Sequence, residues 1–312
     1  MALTLSTLPT YMKPDTASAS PRFAPLLTRH GREETLPYAP PPWQLKRCLE
    51  TDIVFLANPP AYGQYSEQFA YEVTFAGESA ARRRAEPMRY AISTGLKRFR
   101  ANVLKRNKTL RIVRALLAGS ARGQVNVLDV GCGWGSLLDE LGRTLAPADR
   151  ARYVPHGIEI SRELARISDA KLRPLGGRCV HAPALDGLAQ FGGGCFDIVV
   201  MASYLEHELN PVPVLRQARA QLSEAGSIVV KVPNFDCWNR TLRGARWCGF
   251  RWPDHVNYFT PATLRRTVAA AGLHVVRFDA NPLSDNMYAV LAADPVGPLY
   301  SSTRKNSQAV DL

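Results

Sequence analysis

Val127-Leu128-Asp129-Val130-Gly131-Cys132-Gly133-Trp134-Gly135-Ser136 is the stretch on which the reading of this chain turns. It reads as a hydrophobic strand that ends in an acidic, glycine-spaced turn and feeds a helix. Glycine serves such a turn in two ways: it takes positive φ without strain, and it lets a ligand come close to the backbone. The spacing then separates ligand classes. A dinucleotide fingerprint runs G-x-G-x-x-G. Here Gly131, Gly133 and Gly135 give G-x-G-x-G, with Ser136 where a third glycine would fall. Asp129, two residues before the first glycine, is also foreign to the dinucleotide pattern. A tight loop with no pyrophosphate to cradle suits a nucleoside that carries an amino-acid tail.

Working outward, strand-like and helix-like segments alternate. The pattern predicts a strand over 125–130, a helix over 135–146, a strand over 153–160 and a helix over 161–172. A short strand over 178–182 follows, then a strand over 196–201, a helix over 211–223 and a strand over 226–232. A helix over 261–271 passes through Gly272 to a strand over 273–279, and residues 286–292 read as a last strand. Repeated strand–helix alternation implies right-handed crossovers, and so an α/β fold on a mainly parallel sheet. Four segments are expected: an unstructured Pro-rich tail (1–43), an aromatic and basic helical extension or lid (44–118), the α/β domain (119–294) and a flexible tail (295–312).

The D-V-G-C-G-W-G run resembles motif I of the class I S-adenosylmethionine (SAM)-dependent methyltransferases. Two further marks fall at the family's intervals. The segment Val154-Pro155-His156-Gly157-Ile158-Glu159-Ile160-Ser161 places an acid 24 residues after Gly135. Phe196-Asp197-Ile198-Val199-Val200-Met201-Ala202-Ser203-Tyr204-Leu205-Glu206-His207 resembles the family's fourth-strand motif. The resemblance implies a Rossmann-like, seven-stranded, mostly parallel sheet with helices on both faces and an antiparallel last strand, preceded here by an N-terminal extension. It also implies SAM as cofactor. Glu159 is then expected to accept hydrogen bonds from the ribose hydroxyls, a task suited to the paired acceptors of a carboxylate. Asp129 is expected near the methionine amino group. Gly131, Cys132, Gly133, Gly135, Ile160, Ala202 and Ser203 are expected against the cofactor, with Cys132 as a small filler and not a reactive thiol. The family's acid after strand three has no direct counterpart in His181-Ala182-Pro183-Ala184-Leu185-Asp186, so Asp186 meets adenine only if a bend returns it to the site.

The connection from Pro233 to Phe259 spans 27 residues, far beyond the usual two to six, and holds Trp238, Trp247, Phe250, Trp252 and Tyr258. Connections of this length tend to be lids or binding loops. Its end, Trp252-Pro253-Asp254-His255-Val256-Asn257-Tyr258-Phe259, resembles W-x-x-P-x-H-x-x-x-F of methyltransferases acting on sugars and small metabolites. It is also similar to the His-bearing loop of ubiquinone-type O-methyltransferases. A hydroxyl is a weak nucleophile until its proton is drawn off, and histidine titrates in the useful range. His255 is the candidate base, oriented by Asp254 or another carboxylate; bracing of the loop is the equal alternative. His207 is a weaker candidate, with capping or packing as its other role.

Composition sets bounds. A 312-residue chain with 46% hydrophobic content can bury a full core. The sequence has no apolar stretch near the roughly 20 residues that span a bilayer, and its start does not read as a secretory signal. Six scattered cysteines without C-x-x-C pairs suggest free thiols in a reducing cytoplasm. They also lack the C-x-x-x-C-x-x-C of radical chemistry. Ile53-Val54-Phe55-Leu56-Ala57-Asn58-Pro59-Pro60 resembles the extension of a methyltransferase subgroup that opens with a zinc ribbon. Only Cys48 remains of that ribbon, so no metal is expected.

Twelve Lys or Arg and one acid, Glu86, lie between Arg82 and Arg114, so this segment carries +11 of the net +12. It reads as a solvated helical face or as a surface for nucleic acid, an anionic membrane or an acidic substrate. Three functions therefore stay open. The first is a methyltransferase acting on a hydroxyl of a sugar, glycan precursor or other small metabolite. The second is an RNA methyltransferase using the basic segment, although the N-P-P-Y and D-P-P-Y tetrads of base amino-group methylation are missing after strand four. The third is a silent SAM-binding scaffold. Sequence does not give the oligomeric state.

Overall fold

The computed structural model describes residues 32–60 and 107–295, together with Arg83, Arg84, Pro87, Met88, Ala91 and Gly95 as helical positions between them. Most of the basic 82–114 segment, the tyrosines between residues 62 and 71, and the 295–312 tail beyond Pro295 lie outside the described residues.

The large sheet is built from β4 (Val125–Val130), β5 (Tyr153–Glu159), β6 (Arg178–His181), β7 (Phe196–Ala202), β8 (Leu222–Pro233), β10 (His274–Asp279) and β11 (Asn286–Ala292). Its order is β10-β11-β8-β7-β4-β5-β6. The pairings β7–β8, β7–β4, β4–β5 and β5–β6 are parallel, while β11 runs antiparallel to both β8 and β10. This is the seven-stranded, mostly parallel sheet expected from the sequence. Its central strands are buried on both faces: Phe196 to Met201 of β7 are all covered. Near-continuous apolar runs are what two helical layers demand of a parallel sheet.

Helices cover both faces. On one side α1 (Lys108–Gly119) and α2 (Ser136–Thr144) bury Leu110, Val113, Leu117, Leu138 and Leu141 against Val127, Val200 and Val229. On the other, α6 (Pro211–Gln221) and α8 (Pro261–Ala270) bury Val212, Leu215, Leu264 and Val268 against Leu128, Val199 and Val230. Each such side chain contributes about 1.5–3 kcal/mol by leaving water. Local signals set the ends. Asn107 caps α1 by accepting from the Leu110 amide, and α8 opens on Pro261 behind a Thr260–Thr263 capping box. Between them in sequence lie α3 (Pro147–Arg152), α4 (Arg162–Leu172) and α5 (Ala184–Ala189).

Beyond shifts of one or two residues at several ends, the boundary between α6 and β8 and two short elements differ from the sequence expectation. The α6 helix stops at Gln221, and β8 begins at Leu222, because Leu222 already pairs with Phe196. The helices α3 and α5 have six residues each, too few for a helical period to show.

The larger correction concerns the N-terminal side. Residues 1–43 were expected to be an unstructured tail, yet β1 (Glu33–Leu36) pairs antiparallel with β2 (Leu45–Cys48), and β2 with β3 (Val54–Leu56). Two opposite-charge pairs, Lys46–Glu33 at 2.9 Å and Arg47–Glu34 at 3.1 Å, join β1 to β2. A four-residue strand stitched by charge has no apolar alternation to announce it. The fourth strand, β9 (Asn257–Tyr258), comes from the long connection and pairs with β3. Leu45 and Val54 pack with Phe235, Trp247, Phe250 and Tyr258 in a third core, and Tyr38 stacks on Phe250 at 5.2 Å. The extension and the aromatic connection thus form one small sheet-and-cluster layer. Within that connection, α7 (Trp238–Arg243) and a 3-10 turn at Gly244–Arg246 supply further structure.

Candidate functional site

Ligands on such sheets bind beyond the carboxyl ends of the strands, where strand order reverses. A cavity of about 620 Å³ lies at that place, between the ends of β4, β5 and β7 and the aromatic connection. Its size falls within the range of small-molecule sites.

The glycine loop makes one wall. Gly131, Gly133 and Gly135 have φ of +72°, +54° and +67°. At Gly131 a Cβ would stand 2.7 Å from the Tyr204 ring, and at Gly135 it would meet Ser168; at Gly133 it would meet nothing within 4 Å. Gly131 and Gly135 are therefore held by neighbours, while Gly133 faces open space. The Gly133 carbonyl accepts from Ser168 Oγ at 2.7 Å. Cys132 is buried with its sulfur 3.5 Å from that of Cys179, and that contact, together with burial, holds its thiol well above the ordinary range. That fits packing and not nucleophilic work.

Glu159 stands at the end of β5 on the cavity wall. Its Oε2 accepts from the Gly133 amide at 2.8 Å and its Oε1 from the Ser161 amide at 2.9 Å. Two backbone donors fix the carboxylate. Ile160, Ala202 and Ser203 also line the cavity. Ser203 sits at φ +58° and its hydroxyl accepts from Lys231 Nζ at 2.9 Å. Asp129 is buried at the end of β4 and is not part of the wall. Asp186 is exposed on α5 and also stands outside the cavity; Ala182 and Ala184 occupy the wall there. The bend that would return Asp186 to the site does not form.

Burial, reinforced by the nearby charge of Glu159, pushes the Asp129 carboxyl up to about 8. Below about pH 4 this group is protonated in folded and unfolded chains alike. As pH climbs toward 8 the unfolded chain releases the proton and the folded one keeps it, so stability falls across that window. Ligand-free protein is expected to melt at a higher temperature at about pH 5 than at about pH 8. Asp129→Asn, which cannot ionise, should flatten the difference in circular-dichroism melts; an unchanged slope would remove Asp129 as its source.

The opposite wall carries the titratable groups. After β7 the chain turns through Tyr204, Leu205, Glu206, His207 and Glu208. The Glu206 carbonyl accepts from the Val256 and Asn257 amides at 2.8 and 3.1 Å, and Asn257 Nδ2 donates to the Leu205 and Glu208 carbonyls at 2.8 and 2.6 Å. These bonds lock the turn onto the segment holding His255. The two imidazoles meet edge to face with centroids 4.6 Å apart. His207 Nδ1 is 2.9 Å from the Asp254 carbonyl, and His255 Nδ1 is 2.8 Å from the Gly249 carbonyl. A carbonyl only accepts, so both rings carry their proton on Nδ1. Burial, and then the Arg251 guanidinium, push His207 down to about 4, which keeps it neutral at physiological pH. Burial pushes Glu206 up to about 7, against the pull of its own backbone amide, Lys231 and Arg251.

The expected catalytic trio is thus brought together, with one change of role. Asp254 holds His207 through its backbone oxygen, and a backbone oxygen of Gly249 takes the place expected for a carboxylate beside His255. Glu206 and Glu208, both buried and both on the wall, were missed by the sequence reading. Their signal was present as two carboxylates within three residues at the end of a buried strand.

The family described as a methyltransferase domain matches residues 84–277, more than half of the chain. The ubiquinone biosynthesis O-methyltransferase of Sodalis glossinidius is 26% identical over 172 residues, covering 52% of this chain and 67% of that protein. The protein of the same name from Ralstonia nicotianae is 26% identical over 191 residues, covering 58% and 77%. Among solved structures, magnesium protoporphyrin IX methyltransferase from Synechocystis PCC 6803 with bound SAH has a TM-score of 0.45 and 17% identity, covering 60% of this chain and 83% of that one.

Proposed function

The chain belongs to the methyltransferase domain family, and from that premise we propose that it transfers the methyl group of SAM to a hydroxyl of a small molecule, a sugar or glycan precursor being the class we favour. It is a SAM-dependent methyltransferase. The observation that carries the finer reading is the cavity itself, which has Glu159 and the glycine loop on one wall and the Glu206–His207–His255 cluster, with Glu206 and His255 buried, on the other.

Gly131 to Gly135, Glu159, Ile160, Ala202 and Ser203 would hold the cofactor. The fit rests on the open space before Gly133 and on the fixed carboxylate of Glu159. Bound SAM supplies an electrophilic methyl group on its sulfonium. The remaining work is alignment and proton removal. Because Nδ1 of His255 points at the Gly249 carbonyl, Nε2 is the nitrogen suited to accept the acceptor's proton. Glu206 and Glu208 supply buried oxygens that can receive hydrogen bonds from a polyhydroxylated acceptor.

The test is incubation with methyl-labelled SAM and a panel of sugars, nucleotide sugars, phenols and transfer RNA. A labelled ether on a small hydroxyl acceptor, with SAH formed in equal amount, is the expected result. Label in RNA would move the reading to the basic segment. SAH-binding protein that labels nothing in the panel would count against the small-hydroxyl reading.

A further inference from the structure

The cluster opposite the glycine loop has more order than a proton acceptor requires. Glu206, His207 and His255 each present one ligand atom, and these atoms lie within 4.8 Å of one another. Glu206 and His255 are buried, and Oε2 of Glu206 has no hydrogen-bond partner. A buried carboxylate oxygen without a partner costs free energy unless something else meets it. Both imidazoles are pinned by Nδ1 to backbone carbonyls, at 2.9 and 2.8 Å, which puts the lone pair of each on Nε2. An Nδ1–H bonded to a carbonyl is also the arrangement that orients metal-ligating histidines. The ligands come from two segments, the turn after β7 and the run before β9, already clamped together by the Val256 and Asn257 amides on the Glu206 carbonyl.

We propose that Glu206, His207 and His255 form a binding site for one divalent transition-metal ion, zinc being the best match, on the acceptor wall of the cavity. The donor set decides the class of ion. Two imidazole nitrogens and one carboxylate suit zinc, cobalt, iron or manganese, whereas magnesium and calcium prefer all-oxygen shells. Three protein ligands leave a coordination position open, as in catalytic and not structural zinc sites. All three residues line the cavity, so that position faces the ligand space. A tetrahedral ion holds its ligands about 3.3 Å apart at bonds of about 2.0–2.1 Å. Small side-chain rotations must therefore draw the cluster in. Lys231 and Arg251 act on Glu206 and oppose a cation, while Glu208 on the same wall favours one.

The proposal rests on reading this wall as the acceptor side. An ion there would take the acceptor hydroxyl into its open position and acidify it, and His255 would serve as a ligand in place of a base. The hydroxyl proton would pass to water, and the oxygen would take the methyl group as the S–CH3 bond breaks and SAH leaves. It also departs from the sequence expectation of no metal. That expectation considered only the cysteines of a ribbon, and these ligands are spread over 50 residues.

The full chain, stripped with a chelator, should be titrated with zinc by calorimetry and with cobalt by visible absorption. The expected result is one ion per chain, with a cobalt spectrum of tetrahedral or five-coordinate nitrogen–oxygen ligation that lacks a thiolate charge-transfer band. Glu206→Gln and His255→Asn should each weaken binding at least tenfold while SAH affinity stays as in wild type. His207→Gln serves as a further variant if either of these fails to fold. Absence of saturable uptake by protein that still binds SAH would overturn the site, as would uptake unaltered by every variant that folds. Failure to bind SAH would instead fall on the functional reading, since ion uptake is measured without cofactor.

Discussion

Glu159→Ala is expected to weaken SAM and SAH binding by about ten- to a hundredfold. If Glu159 meets the ribose hydroxyls as proposed, its loss leaves those hydroxyls unpaired, at about 1.5–3 kcal/mol, and each 1.4 kcal/mol is about a factor of ten. The structure pushes the expectation toward the larger figure. The same two oxygens accept from the Gly133 and Ser161 amides, so the substitution also releases the glycine loop and the start of α4. Ser161 is the N-cap of that helix, its hydroxyl accepting from the Leu164 amide at 3.3 Å. Glu159→Gln should lose less, because one acceptor oxygen survives while the other becomes a donor that cannot receive an amide. Titration calorimetry with both variants, beside thermal melts as a check on folding, reads the difference. A folded Glu159→Ala protein that binds SAH as wild type does would remove Glu159 from the cofactor site.

Glu159 also shows what a sequence can disclose. It ends a strand with strong apolar character and lies at a family interval from the glycine loop, so its place on the cavity wall could be named without coordinates. The succession of strands and helices in the large sheet was legible for a related reason: its central strands are buried on both faces and read as apolar runs. The second sheet was not legible. Its strands have two to four residues, are joined partly by charge pairs, and unite Leu45 and Val54 with Tyr258, some 200 residues away in sequence. No local period encodes such a pairing. Asp186 failed for a related reason. A six-residue helix begins at Ala184 and turns the acid outward, whereas the sequence showed only an acid at a tolerable distance. Ser168 was invisible for another: it reaches the Gly133 carbonyl from the middle of α4, where a serine looks like any other helical residue.

His255→Ala is expected to lower turnover by about 10²- to 10⁴-fold, the usual worth of a positioned acid–base group, while SAH affinity stays within about twofold because the residues proposed to hold the cofactor lie on the other wall. The competing explanation is mechanical. His255 Nδ1 donates to the Gly249 carbonyl and so braces the connection that carries Trp247 and Phe250. Alanine removes brace and basic nitrogen together and cannot separate them. Asparagine can, since its side-chain amide is able to donate to the same carbonyl but offers no basic nitrogen toward the cavity. A bracing role predicts that His255→Asn restores both the melting temperature and turnover. A chemical role, whether as base or as metal ligand, predicts that it restores the melting temperature and leaves turnover low. Turnover recovered in the asparagine variant would return His255 to the loop and shift the search for the proton acceptor to His207, whose ring, neutral and 4.6 Å away, shares the wall.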